Sequence, residues 1–331
     1  GPEPILAFTG DTLLVGDVGR PDLFPGRKEA LAAALYRSLR RVEALGDHVE
    51  VYPAHGMGSL CGRSLSAKLT TTVGIERRLN TALRIDSEGE FVHRLLTGMP
   101  EAPDHFARCS EVNRQGPRPL AELAPVRALP PHELARLAAQ GHAVLDTRDP
   151  LAFAAAHVPG AYAIPLQGNL PLYAGWVLPP DRPLLLVAEG ESDLQAALTG
   201  LRRVGLDQVV GYLAGGMQAW IGAGLETAHM ESISVVELRR RMAQEGLPLI
   251  DVRLQGEWQA GHIAEAVHIA APDLRRQPIA WPQERPVAVI CNSGFRSILG
   301  ASLLQQRGWA RAINVVGGTG AWEAAGYPWA P

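Results

Sequence analysis

Apolar and polar positions follow one pattern twice in the second and last thirds of the chain. Leu137-Ala-Ala-Gln-Gly-His-Ala-Val-Leu-Asp146 lines up with Met242-Ala-Gln-Glu-Gly-Leu-Pro-Leu-Ile-Asp251 at an offset of 105. Asp146-Thr147-Arg148 then matches Asp251-Val252-Arg253, and His157–Ala161 matches His262–Ala266. Gly215-Gly216 through Trp220 matches Gly317-Gly318 through Trp322 at an offset of 102. Each copy predicts a helix (Pro131–Ala139; Val235–Ala243), then a short apolar strand ending in Asp-x-Arg, then a loop with histidine. A second apolar strand follows (Pro183–Val187; Val287–Ile290), then a helix, a third strand, a Gly-Gly turn and a helix bearing tryptophan. Short all-apolar strands alternating with helices predict a parallel sheet covered on both faces. A period this long marks whole domains, not a solenoid.

The first 110 residues follow a different pattern. Ile5–Phe8 reads as the interior of a strand that ends at Gly10-Asp11. Arg27–Ala44 carries Leu31, Leu35, Leu39 and Val42 at helical spacing, and Val49–Pro53 reads as a strand running into Ala54-His55-Gly56. Ser66–Asn80 and Glu88–Leu96 read as further helices. The proline-rich segment 116–125 reads as a linker, which leaves 1–115, 126–228 and 232–331 as three domains of an α/β protein. The length of 331 residues accommodates three such domains.

The charge balance, 31 basic against 34 acidic residues with basic pairs scattered, gathers no patch for nucleic acid. No apolar run reaches the roughly 18 residues of a spanning helix, so no membrane partner is expected. The three cysteines, Cys61, Cys109 and Cys291, are odd in number and form no CxxC pair; the expected setting is the reducing cytoplasm. The chain opens at Gly1 and not at Met, which reads as a fragment.

The sharpest chemistry lies at Val289-Ile290-Cys291-Asn292-Ser293-Gly294-Phe295-Arg296-Ser297. An apolar strand stops at Cys291 and a helix starts near Arg296, so the loop can turn its amides over the thiol. Such a nest at a helix N-terminus favours anions, and the same field favours thiolate over thiol. Gly294 permits the turn, and Arg296 offers a cationic fork to an anionic substrate. A buried structural cysteine is the bland alternative, and Cys-x-x-Gly-x-Arg between strand and helix argues against it. A phosphatase would use Cys-x5-Arg; here the spacing is Cys-x4-Arg, a smaller ring better matched to sulfur than to a phosphoryl group.

This loop, the Asp-x-Arg strand end, the histidine loop and the Gly-Gly-x-x-Ala-Trp turn together resemble a rhodanese domain over residues 232–330. The resemblance implies that Cys291 attacks a sulfane sulfur, becomes a persulfide and passes the sulfur to an acceptor. Asn292, Ser293, Gly294, Phe295 and Ser297 would line the sulfur cradle, with Arg296 steering the donor. Donors would be thiosulfate or persulfides and acceptors thiols or sulfite, with glutathione, coenzyme A and bacillithiol all open. In the first copy Ala188 stands opposite Cys291, Glu189 opposite Asn292 and Asp193 opposite Arg296, so residues 126–228 resemble an inactive rhodanese domain. Asp146, Arg148, Asp251, Arg253, His157 and His262 persist in both copies, which makes them structural; Trp220 and Trp322 read as core.

Phe8-Thr9-Gly10-Asp11 through Arg20-Pro21-Asp22, with Val51-Tyr-Pro-Ala-His55-Gly56, resembles the C-terminal half of a metallo-β-lactamase αββα fold over residues 4–110, within its persulfide dioxygenase and glyoxalase-like branch. By that resemblance Asp11 is a metal-ligating carboxylate, His55 stands at a second metal position and Arg20 lies near an anionic thiol substrate. The metal implied for the parent protein is Fe(II), with Zn as the alternative of a thioester hydrolase. The His-x-His-x-Asp-His run that the family places earlier is not in this chain, so no metal is expected to be bound in it. Cys61 and Cys109 lack a charged nest and read as incidental thiols. Besides a sulfurtransferase fused to a dioxygenase-like domain, the sequence admits a non-catalytic persulfide carrier; a homo-oligomer is left open.

Overall fold

The structure, a computed structural model, describes residues 3–24, 26–56, 62, 66–97, 99 and 102–331. Cys61 lies outside the described residues. The chain divides into two compact units, Gly1–Gln115 and Gly116–Pro331.

The first unit contains β1 (Leu6–Gly10), the hairpin β2 (Leu13–Leu14) and β3 (Asp17–Val18), α1 (Lys28–Glu43), β4 (Glu50–Pro53), β5 (Thr71–Thr72), α2 (Val73–Leu79), α3 (Glu88–Thr97) and α4 (His105–Gln115). The sheet order is β1-β4-β5. Its core joins Ala32 and Leu39 of α1 to Val51, Phe91 and Leu95, all buried. Two expectations are corrected. Ser66–Asn80 is not one helix: the β-branched Thr71–Thr72 pairs antiparallel with β4, and Thr72 then caps α2 through a bond from the Ile75 amide at 3.2 Å. β1 is a strand but not an interior one: Phe8 on it is 81% exposed, and Ile5 just before it 71%.

α4 had no clear apolar signal, and it buries His105. Burial and then the neighbouring Arg108 push that imidazole down from 6.5 to about 4, with Asp104 opposing. The unfolded chain therefore takes up this proton first as pH falls. The stability held by neutral His105 is full above about pH 6.5 and lost toward pH 4, on the order of 2–3 kcal/mol. Urea unfolding across that window should show the loss for the first unit, and His105→Leu should reduce its steepness.

The second unit repeats one α/β design. The first copy runs β6 (Arg127–Leu129), α5 (Pro131–Ala139), β7 (Ala143–Asp146), α6 (Pro150–Ala155), β8 (Tyr162–Ala163), α7 (Leu170–Val177), β9 (Leu184–Val187), α8 (Glu191–Arg203), β10 (Val209–Leu213) and α9 (Gly216–Gly222). The second runs β11 (Glu231–Ile233), α10 (Val235–Glu245), β12 (Leu249–Asp251), α11 (Gln255–Gln259), β13 (Val267–His268), β14 (Val287–Ile290), α12 (Phe295–Gln306), β15 (Ala312–Val315) and α13 (Gly318–Ala324). A 3-10 turn, Ala271–Arg275, stands in the second copy where α7 stands in the first.

Both sheets are parallel and five-stranded, ordered β6-β10-β9-β7-β8 and β11-β15-β14-β12-β13. Every residue of β9 and β14 is buried, as strands covered on both faces must be. The chain leaves β12 for β13 on one side and returns to β14 on the other. The loops after β12 and β14 therefore diverge at a switch point, where parallel sheets open a crevice. The two copies pack through α12, which lies against β8 and α6 of the first copy as well as its own β14. Ser297 through Leu304 of α12 are all buried, and Ser302 Oγ accepts from the Ala163 amide of β8 at 3.1 Å.

Candidate active site

Cys291 is the first residue after β14 and is fully buried. Its Sγ accepts from the Gly294 amide at 3.1 Å and lies 3.6 Å from Ser297 Oγ. Ser297 Oγ in turn donates to Asn314 Oδ1 at 2.7 Å. Gly294, at φ +106°, turns the chain so that its amide faces back to the sulfur and α12 begins at the next residue. The sulfur thus sits under the N-terminus of a 12-residue helix, where negative charge is stabilised. Asn292 and Ser293 are exposed; Phe295 and Arg296 are half-buried.

The Gly-Gly turn braces this loop from below. The Thr319 amide donates to Cys291 O at 2.7 Å and the Gly320 amide to Asn292 O at 3.0 Å. A Cβ on Gly318 would lie 2.0 Å from Cys291 O and 2.5 Å from the Asn292 carbonyl carbon, and φ there is +58°. Only glycine fits beneath the loop.

Arg296 is gripped by both oxygens of Glu257, from Nη2 to Oε1 at 2.7 Å and from Nη1 to Oε2. Glu257 Oε2 also accepts from the Leu254 amide at 3.1 Å. Burial alone would raise the Glu257 carboxyl, but the bonds from Arg296 hold it below the usual carboxylate range. From the first copy, Tyr173 on α7 is 6% exposed and hydrogen-bonds Arg296. Burial pushes the Tyr173 phenol up, with Arg296 opposing.

The Asp-x-Arg pairs are the same in both copies. Arg253 binds both oxygens of Asp251, donating its amide to Oδ1 at 3.0 Å and Nη2 to Gly261 O at 2.8 Å; Arg148 does so with Asp146 and Ala156 O. His157 stacks on Phe153 and His262 on Trp258, each bonding that residue's carbonyl through Nδ1. These groups tie loops together, and Trp220 and Trp322 are buried core residues.

The first copy has lost more than its cysteine. Four residues, Cys291–Gly294, join β14 to α12; three, Ala188–Gly190, join β9 to α8. The helix α8 merely starts one residue earlier: strand end to helix end spans the same length in both copies, Val187 to Arg203 and Ile290 to Gln306, so Ala188 stays opposite Cys291 and Asp193 opposite Arg296. The loop of the first copy lifts off its glycine turn: a Cβ on Gly216 would meet nothing nearer than Ala188 O at 3.8 Å. A cavity of about 630 Å³, lined by Ala188, Glu189, Gly190, Gly216 and Met217 among others, lies at this end of the first sheet.

In the first unit, the structure brings Asp11 and His55 together, with Nε2 to Oδ1 at 3.2 Å. Gly19 packs against the backbone of Asp11, where a Cβ would lie 1.9 Å from Asp11 O. Among the described residues no group of three His, Cys, Asp or Glu side chains is arranged to hold a metal ion. One carboxylate and one imidazole are too few for a metal centre, so the donors present do not fit one, and no step below passes through a metal. Arg20 is buried and bound to both oxygens of Asp22 at 2.7 and 2.8 Å, under the ring of Phe106. Cys109 is half-buried, and burial raises its thiol, with Arg108 opposing.

The family description "Rhodanese-like domain" matches residues 130–223 and again 234–325, together more than half of the chain. The chain belongs to the rhodanese family. Its rhodanese part is 35% identical over 100 residues to the putative sulfurtransferase YtwF of Bacillus subtilis (strain 168), a match covering 30% of this chain and 96% of that protein. It is 28% identical over 99 residues to the thiosulfate sulfurtransferase GlpE of Coxiella burnetii (strain RSA 331 / Henzerling II), covering 30% of this chain and 87% of that one. A metallo-beta-lactamase structure from Staphylococcus aureus subsp. aureus COL matches with a TM-score of 0.53 and 29% identity, covering 63% of this chain. That match spans 57% of the Staphylococcus chain. The architecture is therefore a metallo-β-lactamase-like N-terminal region followed by two rhodanese domains with parallel sheets.

Sequence reasoning missed Glu257 and Tyr173. A signal for Glu257 was present: at the repeat offset its counterpart is Ala152, so the acidic residue occurs only in the copy that keeps the cysteine and Arg296. Tyr173 carried no such signal, because α7 has no helix counterpart in the second copy.

Proposed function

We propose that the second rhodanese domain moves sulfane sulfur through a persulfide on Cys291. The observation that carries this reading is the sulfur of Cys291 under a helix N-terminus, bonded by the Gly294 amide and braced by the Gly-Gly turn. The thiolate attacks the outer sulfur of a donor, a new S–S bond forms, and sulfite or a thiolate leaves. An acceptor thiol or sulfite then takes the sulfur and restores Cys291. The amides of the loop from Asn292 to Arg296 stabilise the charge on the transferred sulfur.

Intact-mass analysis after exposure to thiosulfate or glutathione persulfide should find one added sulfur, mapping to the peptide with Cys291. Steady-state turnover with small thiols supports the enzyme; loading without turnover supports a persulfide carrier. Ala188→Cys should confer no transfer on the first domain, because its loop carries Glu189 and has Asp193 in place of the arginine. Measured in a Cys291→Ser background, any transfer from Ala188→Cys would show that the acidic residues are no barrier.

The fusion supports a role in sulfide and persulfide metabolism in the cytoplasm. On resemblance, the N-terminal region belongs with persulfide dioxygenases that use Fe(II), with Asp11 as a ligand and His55 at the second position, or with zinc thioester hydrolases. Iron or zinc analysis of the purified protein decides between these.

A further inference from the structure

The grip of Glu257 on Arg296 changes what the loop can attract. A bidentate carboxylate–guanidinium pair is strong in geometry and neutral in sum. Beyond the pair its field falls to that of a dipole, so Arg296 cannot act as a full positive charge at the loop mouth. Arg253, the arginine at the end of the neighbouring strand, is likewise held by Asp251. Tyr173 of the first copy, itself buried, also bonds Arg296. The repeat supplies a control. Asp-x-Arg survives in both copies and so belongs to the fold, whereas Glu257 and Arg296 are replaced together, by Ala152 and Asp193, in the copy without a nucleophile. The Glu257–Arg296 pair therefore belongs to the chemistry.

We propose that Glu257, by binding both arms of Arg296, sets donor choice, so that Cys291 takes sulfur from a singly charged low-molecular-weight persulfide anion ahead of doubly charged thiosulfate. This rests on the sulfurtransferase reading above. In the transfer, the Cys291 thiolate attacks the outer sulfur of R–S–S⁻. The donor S–S bond breaks as the Cys291 S–S bond forms, R–S⁻ leaves and takes a proton from water, and no oxidant or reductant is consumed. The loop amides serve the transferred sulfur in either donor. A second negative charge, on the sulfonate of thiosulfate, finds only a compensated cation.

The test is single-turnover loading of Cys291 in the full chain, with thiosulfate and with 2-hydroxyethyl persulfide, which is charged only at its terminal sulfur, for the wild type and Glu257→Gln. Freeing the guanidinium charge should lower the half-saturating thiosulfate concentration about tenfold at low salt, with the limiting rate little changed, while persulfide loading moves less than about twofold. Added salt should erase the gain. Glu257→Asp, which keeps the charge, should keep the wild-type ratio; Glu257→Ala, useful if the glutamine variant misfolds, should shift it as Gln does. Loss of both donors in parallel, or an unchanged ratio, overturns the proposal. Wild-type protein that loads from neither donor overturns the sulfurtransferase reading instead.

Discussion

Cys291→Ser should abolish sulfur transfer, lowering turnover by at least about a thousandfold with either donor. A serine hydroxyl is a far weaker nucleophile at neutral pH and forms no persulfide, while its size suits the same buried position between Gly294 and Ser297. Stability should therefore change little, so loss of activity would not be loss of fold. Cys109→Ser, at a half-buried thiol raised by burial, serves as the control and should leave turnover intact. Turnover of Cys291→Ser above about one per cent of the wild type would move the nucleophile elsewhere.

Gly318→Ala should be nearly as damaging, and by a purely steric route. The added methyl would lie 2.0 Å from the Cys291 carbonyl oxygen, on backbone that cannot swing aside without moving the thiol. The bonds from Thr319 and Gly320 to the loop should break with it. Transfer should fall about a hundredfold or more, and the second domain should lose several kcal/mol. The matched variant Gly216→Ala has nearly the same backbone, φ +59°, but its nearest neighbour is 3.8 Å away. It should lose only the roughly 1–2 kcal/mol of a left-handed alanine. Equal melting shifts for the two variants would refute the idea that the loop rests on Gly318.

The rhodanese repeat was legible because burial on both faces leaves strands such as β9 and β14 no polar position, and because the chemistry sits in one short segment. The loop after β14 could be read from Cys291, Gly294 and Arg296 alone. The destination of the Arg296 charge could not, since Glu257 stands 39 residues away and Tyr173 in another domain. In the first unit, Thr71–Thr72 was masked inside an apparently helical stretch, and its strand pairing with β4 overrides that local pattern. α4 has few apolar positions, so only tertiary contact identifies it.

The helix that begins at Phe295 carries a historical constraint. A duplicated domain that folds independently can be lost once its chemistry is lost. Here the buried run Ser297–Leu304 and the bond from Ala163 to Ser302 make the surviving copy lean on the degenerate one. Selection could strip the first copy of its nucleophile and turn its loop acidic, yet each surface touching α12 had to stay. The duplication is in that sense irreversible, and drift in the first copy should spare β8 and α6 long after the vestigial loop has become unrecognisable.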